Sequence, residues 1–258
     1  GQTDENNLTD SATSAEKTVS VVRGTITPTV STQTTIVPAV PFIISSPENG
    51  IFNTAVELEE KITAGQIIGT VNGKELKSPV DGTITSIAPS NESVPSNYPV
   101  AIVHYTGFAL NVEADNFLST LPEYAELKAK FQVYDGVGPT DMIAVVSPAA
   151  DENAFTGIVP QKGILQCLIS QTVDVKSGQS ATVVITATTR NDVLILPLSV
   201  IAGRQGTGLV TVITPNGERV ETKVTLGVTD GANIEILSGL EEGDVVSATP
   251  PNLDPRGI

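Results

Sequence analysis

Hydrophobic and polar residues alternate in short runs along most of the chain, which is the period of a half-buried β-strand. Runs rich in Val, Ile and Thr, such as Phe108–Ala114, Lys128–Tyr134 and Ser180–Ala187, are separated by turns that contain Gly or Pro. Apolar residues at helical spacing are scarce, and the pattern predicts one short helix, from Asp115 as its N-cap to Leu121. The sequence therefore predicts an all-β protein with a minor α-helical content.

One phrase occurs twice, as Ser-Pro-Glu-Asn-Gly at 46–50 and as Ser-Pro-Val-Asp-Gly at 78–82. Each copy opens a short β-branched segment, Ile51–Val56 in the first and Thr83–Ile87 in the second. Between them, Asn72-Gly73 is the strongest hairpin signal, because a type I′ turn needs positive φ at both positions. Neither strand-turn unit can cover its own apolar face, so we expect the two to pack on each other.

Both ends of the chain also predict strands. Near the start, Thr18–Val22 and Thr25–Val30 are expected on either side of Arg23-Gly24. Near the end, Leu209–Ile213 and Arg219–Leu226 flank a hairpin turn at 214–217. On the return strand, one face is expected to be buried, and its residues are Val220, Thr222, Val224 and Leu226.

The repeated Pro-x-x-Gly phrase, the Ala64-Gly65-Gln66 turn and the Pro-Val-Asp-Gly run at 79–82 resemble the two half-motifs of lipoyl/biotinyl-type domains. The later segments resemble the barrel exit and final β-domain of the membrane-fusion, or periplasmic adaptor, family of HlyD-type efflux and secretion subunits. These segments are Asn191–Val200, Val224–Gly227, Ile234–Leu240 and Glu242–Val246. The resemblance covers roughly residues 18–249 and keeps the family's order of motifs.

The resemblance implies an elongated arrangement of β-domains. The expected parts are a flexible tether (1–17), a lipoyl-like barrel-sandwich hybrid (42–105), a β-barrel (106–198 with part of 31–41), a membrane-proximal β-domain (18–30 with 199–249) and a tail (250–258). The polar, acidic composition of 1–17 is consistent with a tether. The α-helical coiled-coil hairpin of many family members is missing, since only Asn72–Lys77 joins the half-motifs. We therefore expect a Gram-positive host or a pump without an outer-membrane channel.

In function, the resemblance implies a non-catalytic, extracytoplasmic adaptor subunit of an ABC-type efflux or export complex. The expected partners are an ABC transporter permease of the MacB type and its ATPase, and a homo-oligomer is left open. An anchor in the cytoplasmic membrane is expected outside these 258 residues. Asn72, Gly73 and Lys74, at the tip of the hairpin, are the expected partner contacts.

Charge and composition narrow the function classes. The formal net charge is −15, which disfavours nucleic acid and anionic lipid as partners because both require clustered Lys and Arg. With one Cys, Cys167, and one His, His104, the chain has no internal disulfide and no zinc-ligand spacing. Cys167 lies in an apolar run typical of a buried strand. We expect no enzymatic activity and no cofactor or metal.

Two other functions stay open at this point. In lipoyl and biotinyl carriers the modified Lys lies at the hairpin between the half-motifs, close to the position of Lys74. The flanking Asn-Gly and Glu-Leu match neither carrier context. A cell-surface adhesin or structural β-protein is the other alternative, and it predicts sandwich domains in simple series. An adaptor instead predicts that the first and last segments share one domain.

Overall fold

The structure, a computed structural model, describes residues 16–122, 125–136, 138–150, 163–203 and 206–252. Its first strands are β1 (Thr18–Ser20), β2 (Val22–Ile26), β3 (Thr29–Thr35), β4 (Val37–Pro38), β5 (Phe42–Ser45), β6 (Gly50–Thr54), β7 (Lys61–Ile62), β8 (Ile67–Val71), β9 (Lys74–Lys77), β10 (Gly82–Ile87), β11 (Glu92–Val94) and β12 (Pro99–His104). The expected tether and tail lie almost wholly outside the described residues.

The remaining strands are β13 (Phe108–Glu113), β14 (Leu127–Val133), β15 (Thr140–Asp141), β16 (Ala144–Pro148), β17 (Ile164–Leu168), β18 (Ser180–Ala187), β19 (Arg190–Pro197), β20 (Thr207–Ile213), β21 (Arg219–Thr229), β22 (Asn233–Ser238) and β23 (Val245–Ser247). Helix α1 spans Asp115–Ser119, and a 3₁₀ turn spans Leu198–Val200. The prediction of an all-β protein with a minor helical content is confirmed. Within the ranges given above, helices with the length and apolar composition to span a bilayer do not occur.

The chain folds as two compact units. The first unit takes its residues from both ends of the chain, and the second takes nearly all of its residues from Thr25–Arg190. The first unit is built on a seven-stranded sheet in the order β1-β23-β20-β21-β22-β19-β2. In this sheet β1 pairs antiparallel with β23, with Val19 opposite Val246. The first and last described strands of the chain are therefore neighbours.

Two local predictions in this sheet are wrong. Strand β2 runs through Arg23-Gly24 without the expected interruption. There the Arg23 guanidinium donates to the Asp192 carbonyl oxygen (3.1 Å) and pairs with the Glu242 carboxylate (3.2 Å), so the strand is held at its exposed side. Val220 is 45% exposed. It lies next to the hairpin turn and outside the core cluster of the unit, whose buried face on β21 begins at Val224.

Glu16 fastens the start of the described chain to this sheet. Its carboxylate accepts a hydrogen bond from the Ser247 hydroxyl (2.6 Å) and pairs with Arg219. The Ser247 hydrogen bond, followed by the Arg219 contact, lowers the pKa of Glu16. A lowered pKa means that the ionised group stabilises the folded state above its unfolded pKa, and that this contribution is lost as the pH falls through the folded pKa.

We therefore expect Glu16→Gln to lower the melting temperature slightly near pH 7 and to have no effect in acid, once the pH lies below the lowered folded pKa of Glu16. The exposed Glu221, on β21 of the same unit, supplies the control variant Glu221→Gln. Thermal melts of the three proteins at both pH values make the test. An equal loss at both pH values in Glu16→Gln would show that the carboxylate charge is irrelevant.

The second unit contains three sheets. The largest has eight strands in the order β4-β13-β17-β16-β5-β12-β10-β7, and the others are β11-β6-β8-β9 and β15-β14-β18-β3. One core cluster joins buried residues from both half-motifs, among them Ile62, Ile68, Val80, Ile84 and Val103. Each half-motif therefore covers the apolar face of the other.

A second core cluster in this unit lies among the strands of the expected barrel. Its fully buried members include Leu110, Phe131, Cys167, Val183 and Ile185. Helix α1 contributes Phe117 to the same cluster. The expected N-cap is wrong, because Ala114 occupies that position without a side-chain cap and Asp115 lies in the first turn.

Gln166 extends a sheet with its side chain. Its amide nitrogen donates to the Val40 carbonyl oxygen (3.0 Å), and its amide oxygen accepts from the Val40 N–H (2.9 Å). Gln166 is fully buried. The Gln166 side chain therefore satisfies the backbone N–H and carbonyl oxygen of Val40, just beyond the end of β4.

Candidate interaction site

The two Ser-Pro-x-x-Gly phrases adopt the same local structure. The Ser46 hydroxyl donates to the Glu48 carbonyl oxygen (2.6 Å), and the Ser78 hydroxyl donates to the Val80 carbonyl oxygen (2.7 Å). Both serines are buried. A buried hydroxyl must find a partner, and here each one closes the turn that precedes a strand.

The fourth residue of each phrase holds a distant turn in place. The Asn49 side-chain oxygen accepts from the Ser96 N–H, and the Asp81 carboxylate accepts from the Ala64 N–H, each at 2.7 Å. In the turn that contains Ala64, the Gly65 N–H also donates to the Ser78 carbonyl oxygen, at 2.7 Å. The repeated phrase therefore organises both halves by the same set of contacts.

The structural repeat extends beyond the phrase that the sequence reveals. Gly65 and Asn97 both have positive φ, +83° and +66°, and they are separated by the same interval as the two serines (97 − 65 = 32 and 78 − 46 = 32). Glu59 and Asn91 form a second such pair, at +65° and +63°. The sequence analysis did not predict the turn at 95–98. The signal for it is Asn97, because Asn adopts left-handed backbone more readily than most other residues.

The hairpin tip at Asn72-Gly73 forms as expected, with φ of +50° and +77°. The Asn72 amide nitrogen donates to the Asn49 carbonyl oxygen (2.9 Å), and its amide oxygen accepts from the Ile51 N–H (3.2 Å). A Cβ atom on Gly50 would lie 2.3 Å from the Asn72 amide. The tip is therefore fastened to the first phrase, and Gly50 is the residue that makes room for it.

Lys74 lies at the start of β9, directly after the turn. Its Nζ is 2.9 Å from the Glu48 carboxylate, and its side chain is 69% exposed. Ile51, whose N–H donates to the Asn72 amide oxygen, is 42% exposed. We call the group Glu48, Ile51, Asn72, Gly73 and Lys74 the tip patch. It combines an apolar side chain and a cation on a backbone that is held by hydrogen bonds.

The other chemically active residues lie apart from the tip patch. Cys167 is fully buried, and burial raises the pKa of its thiol to about 12. His104 ends strand β12. Among the residues that the structure describes, no group of three or more His, Cys, Asp or Glu side chains is placed to hold a metal ion.

The buried, protonated thiol of Cys167 predicts a simple chemical test. At about pH 8, iodoacetamide reacts with the thiolate of an exposed Cys. We expect the folded protein to remain unlabelled and the protein in guanidinium chloride to be labelled at its single Cys. Mass spectrometry of both samples measures the outcome. Rapid labelling of the folded protein would mean that this core opens.

Comparisons with known proteins find structural similarity only. No family model and no curated protein matches the chain. Among solved structures, MacA from Actinobacillus actinomycetemcomitans is 14% identical, with a TM-score of 0.38, over 90% of this chain and 99% of that one. ZneB from Cupriavidus metallidurans is 13% identical, with a TM-score of 0.38, over 92% of this chain and 93% of that one.

A MacA–MexA chimera that contains the Pseudomonas aeruginosa MexA α-hairpin domain is 15% identical, with a TM-score of 0.34. The matched region spans 87% of this chain and 98% of the chimera.

Proposed function

We propose that this protein is a non-catalytic adaptor subunit of an ABC-type efflux or export complex, which couples a membrane permease to the cell exterior. The observation that carries the proposal is the path of the chain. The first sheet takes β1 and β2 from the start of the chain and β19–β23 from its end, and the duplicated unit lies between them in sequence. The alternative, an adhesin with independent domains in series, predicts instead that the two ends of the chain lie in different domains.

The domain assignment follows this path. We propose the seven-stranded sheet of β1, β2 and β19–β23 as the membrane-proximal base that contacts the permease, and the duplicated region 42–105 as the lipoyl-like spacer. The barrel is proposed from the strands between β13 and β18 together with β3 and β4. Compared with the expected bounds, β19 (Arg190–Pro197) lies in the base sheet, and β3 (Thr29–Thr35) pairs with β18 of the barrel. We further propose that the protein works outside the cytoplasmic membrane and is anchored to it, in a Gram-positive host or in a pump without an outer-membrane channel.

Charge supports a protein partner over the alternatives. A net charge of −15 repels nucleic acid and anionic lipid headgroups, whereas a protein partner of opposite charge is attracted and steered. The proposed partners are a MacB-type permease and its ATPase. Several copies of this protein are proposed to associate with one another in the same complex.

The tip patch is proposed as a partner contact. Asn72 is held by two side-chain hydrogen bonds, so little conformational freedom is lost when a partner docks. Lys74 supplies a cation and Ile51 supplies exposed apolar surface.

The experiment is co-purification of the affinity-tagged protein, with its native membrane attachment, from detergent-solubilised membranes of its own host. We expect an ABC permease and its ATPase to be recovered with it. Lys74→Glu replaces the cation of the tip patch with a second carboxylate beside Glu48, and it is expected to reduce recovery about tenfold because an acidic partner surface is then repelled. Lys77→Glu, on the same strand at 57% side-chain exposure, is the matched control and is expected to change little.

Two results would count against the proposal in different ways. Recovery of the folded protein without any transporter subunit would overturn the adaptor function. Equal recovery with Lys74→Glu and Lys77→Glu would leave the adaptor function intact and remove the tip patch from the interface. Far-UV circular dichroism of each variant establishes that it is folded.

A further inference from the structure

Strand β3 forms an unusual edge of the four-stranded sheet β15-β14-β18-β3. It pairs with β18 over all seven of its residues, Thr-Val-Ser-Thr-Gln-Thr-Thr, without a shift of register. Natural proteins protect exposed sheet edges with charges, prolines, bulges or very short strands. Strand β3 has none of these, and its Thr and Val residues favour extended backbone.

The other edge strands of this unit in the described ranges each carry such a protection. Strand β9 bears Lys74 and Lys77, β4 contains Pro38, and β11 bears Glu92 and has three residues. Strands β7 and β15 have two residues each, with Lys61 and Asp141. Among the described edge strands of this unit, β3 is therefore the long one without such a protection.

The pairing with β18 fixes which backbone groups face outward. The Ala187 N–H donates to the Pro28 carbonyl oxygen (3.0 Å), and the Ile36 N–H donates to the Gln179 carbonyl oxygen (2.9 Å). Because hydrogen-bonded pairs alternate along an antiparallel ladder, the even-numbered residues of β3 bond to β18. The backbone groups pointing away from β18 therefore belong to Thr29, Ser31, Gln33 and Thr35.

A groove runs beside this edge. It has a volume of about 510 Å³ and is lined by Thr32–Thr34 of β3, Asn111–Glu113 of β13 and Ile164 of β17. Strand β4, which follows β3, pairs with β13 only at Phe108 and Ala109. Among the residues that the structure describes, no backbone pairing joins β3 to the second half of β13.

The opposite wall of the groove presents a backbone edge as well. The Ile169 N–H donates to the Phe108 carbonyl oxygen (2.9 Å), and the Ala114 N–H donates to the Gly163 carbonyl oxygen (2.7 Å). The even-numbered residues of β13 thus bond to β17, and Asn111 and Glu113 direct their backbone groups to the groove. The Thr32 hydroxyl reaches the Gln33 carbonyl oxygen only at 3.5 Å, the outer limit of a hydrogen bond.

We propose that the open edge of β3 binds an extended segment of a partner protein by β-strand addition, with the backbone groups of Ser31 and Gln33 as the central contacts. Main-chain hydrogen bonds supply the affinity in this mode of recognition. The segment carries a basic residue, because the exposed Glu113 lies on the facing wall and the whole chain has a net charge of −15. This proposal stands independently of the transporter proposal.

The test uses a synthetic peptide, acetyl-Lys-Thr-Val-Thr-Val-Thr-Lys-amide, titrated into the full ¹⁵N-labelled chain. We expect saturable binding and slowed hydrogen exchange of the Ser31 and Gln33 amides. Ser31→Pro removes one outward N–H without touching the bonds to β18, and is expected to weaken binding about tenfold. Ser31→Ala keeps the backbone N–H and is expected to bind like the original protein.

Protection of the Val30, Thr32 and Thr34 amides in Ser31→Pro shows that the strand still pairs with β18. With that protection intact, equal binding by Ser31→Pro and Ser31→Ala would overturn the proposal. Absence of any binding by the original protein, or binding that slows exchange elsewhere and leaves Ser31 and Gln33 unchanged, would overturn it as well.

Discussion

Replacing Phe52 with Ala is expected to destabilise the protein by about 3–5 kcal/mol, the range for removing a fully buried aromatic side chain. Phe52 is fully buried on β6, in a core cluster with Val71 of the same half-motif and with Val94 and Val100 of the other. The substitution therefore removes contacts that join the two halves. Urea unfolding followed by circular dichroism measures the shift of the transition midpoint.

The neighbouring residue provides the control for this substitution. Ile51 lies on the same strand with its side chain on the opposite face, 42% exposed. Ile51→Ala is expected to change stability by no more than about 0.5 kcal/mol. Similar effects of the two substitutions would mean that Phe52 does not lie in a shared core, and that the half-motifs are stable separately.

Replacing Gly82 with Val is expected to cost about 2–3 kcal/mol through steric overlap. A Cβ atom at Gly82 would lie 2.7 Å from the His104 carbonyl oxygen and 2.7 Å from a Val103 methyl carbon. Since Thr83 of β10 pairs with His104 of β12, the added side chain forces these two strands apart. The same unfolding measurement applies.

Thr83→Val is the matched control for Gly82→Val, because it adds a branched apolar side chain one residue later at a position that is only partly buried. We expect it to leave the midpoint nearly unchanged. A Gly82→Val protein as stable as Thr83→Val would contradict the close approach of β10 and β12. The last residue of the repeated phrase would then have no structural role.

The parts of the fold that were predictable from the sequence are those decided by neighbouring residues. The alternation of apolar and polar residues predicted the strands, and Asn72-Gly73 predicted the hairpin, because both depend on local backbone preferences. The apolar run around Cys167 likewise indicated its burial. The repeated Ser-Pro-x-x-Gly phrase pointed to two halves that pack together.

The parts that were not predictable depend on residues far apart in sequence. Nothing near Gln166 indicates that its amide bonds to Val40, and nothing near Asn72 indicates that it bonds to Asn49. The match between the turns at Gly65 and Asn97 is hidden, because different residue types adopt the same left-handed backbone. The open edge of β3 became visible only when the pairing of all neighbouring strands was known.

The most direct measurement of the central claim is a binding titration between the protein and its proposed partner. The protein is titrated against an ABC permease of its own host that is held in lipid nanodiscs, and binding is followed by bio-layer interferometry. The adaptor account predicts saturable binding that the separate extracytoplasmic domain of the permease competes away. Absence of binding, with the protein shown by circular dichroism to be folded, would contradict it.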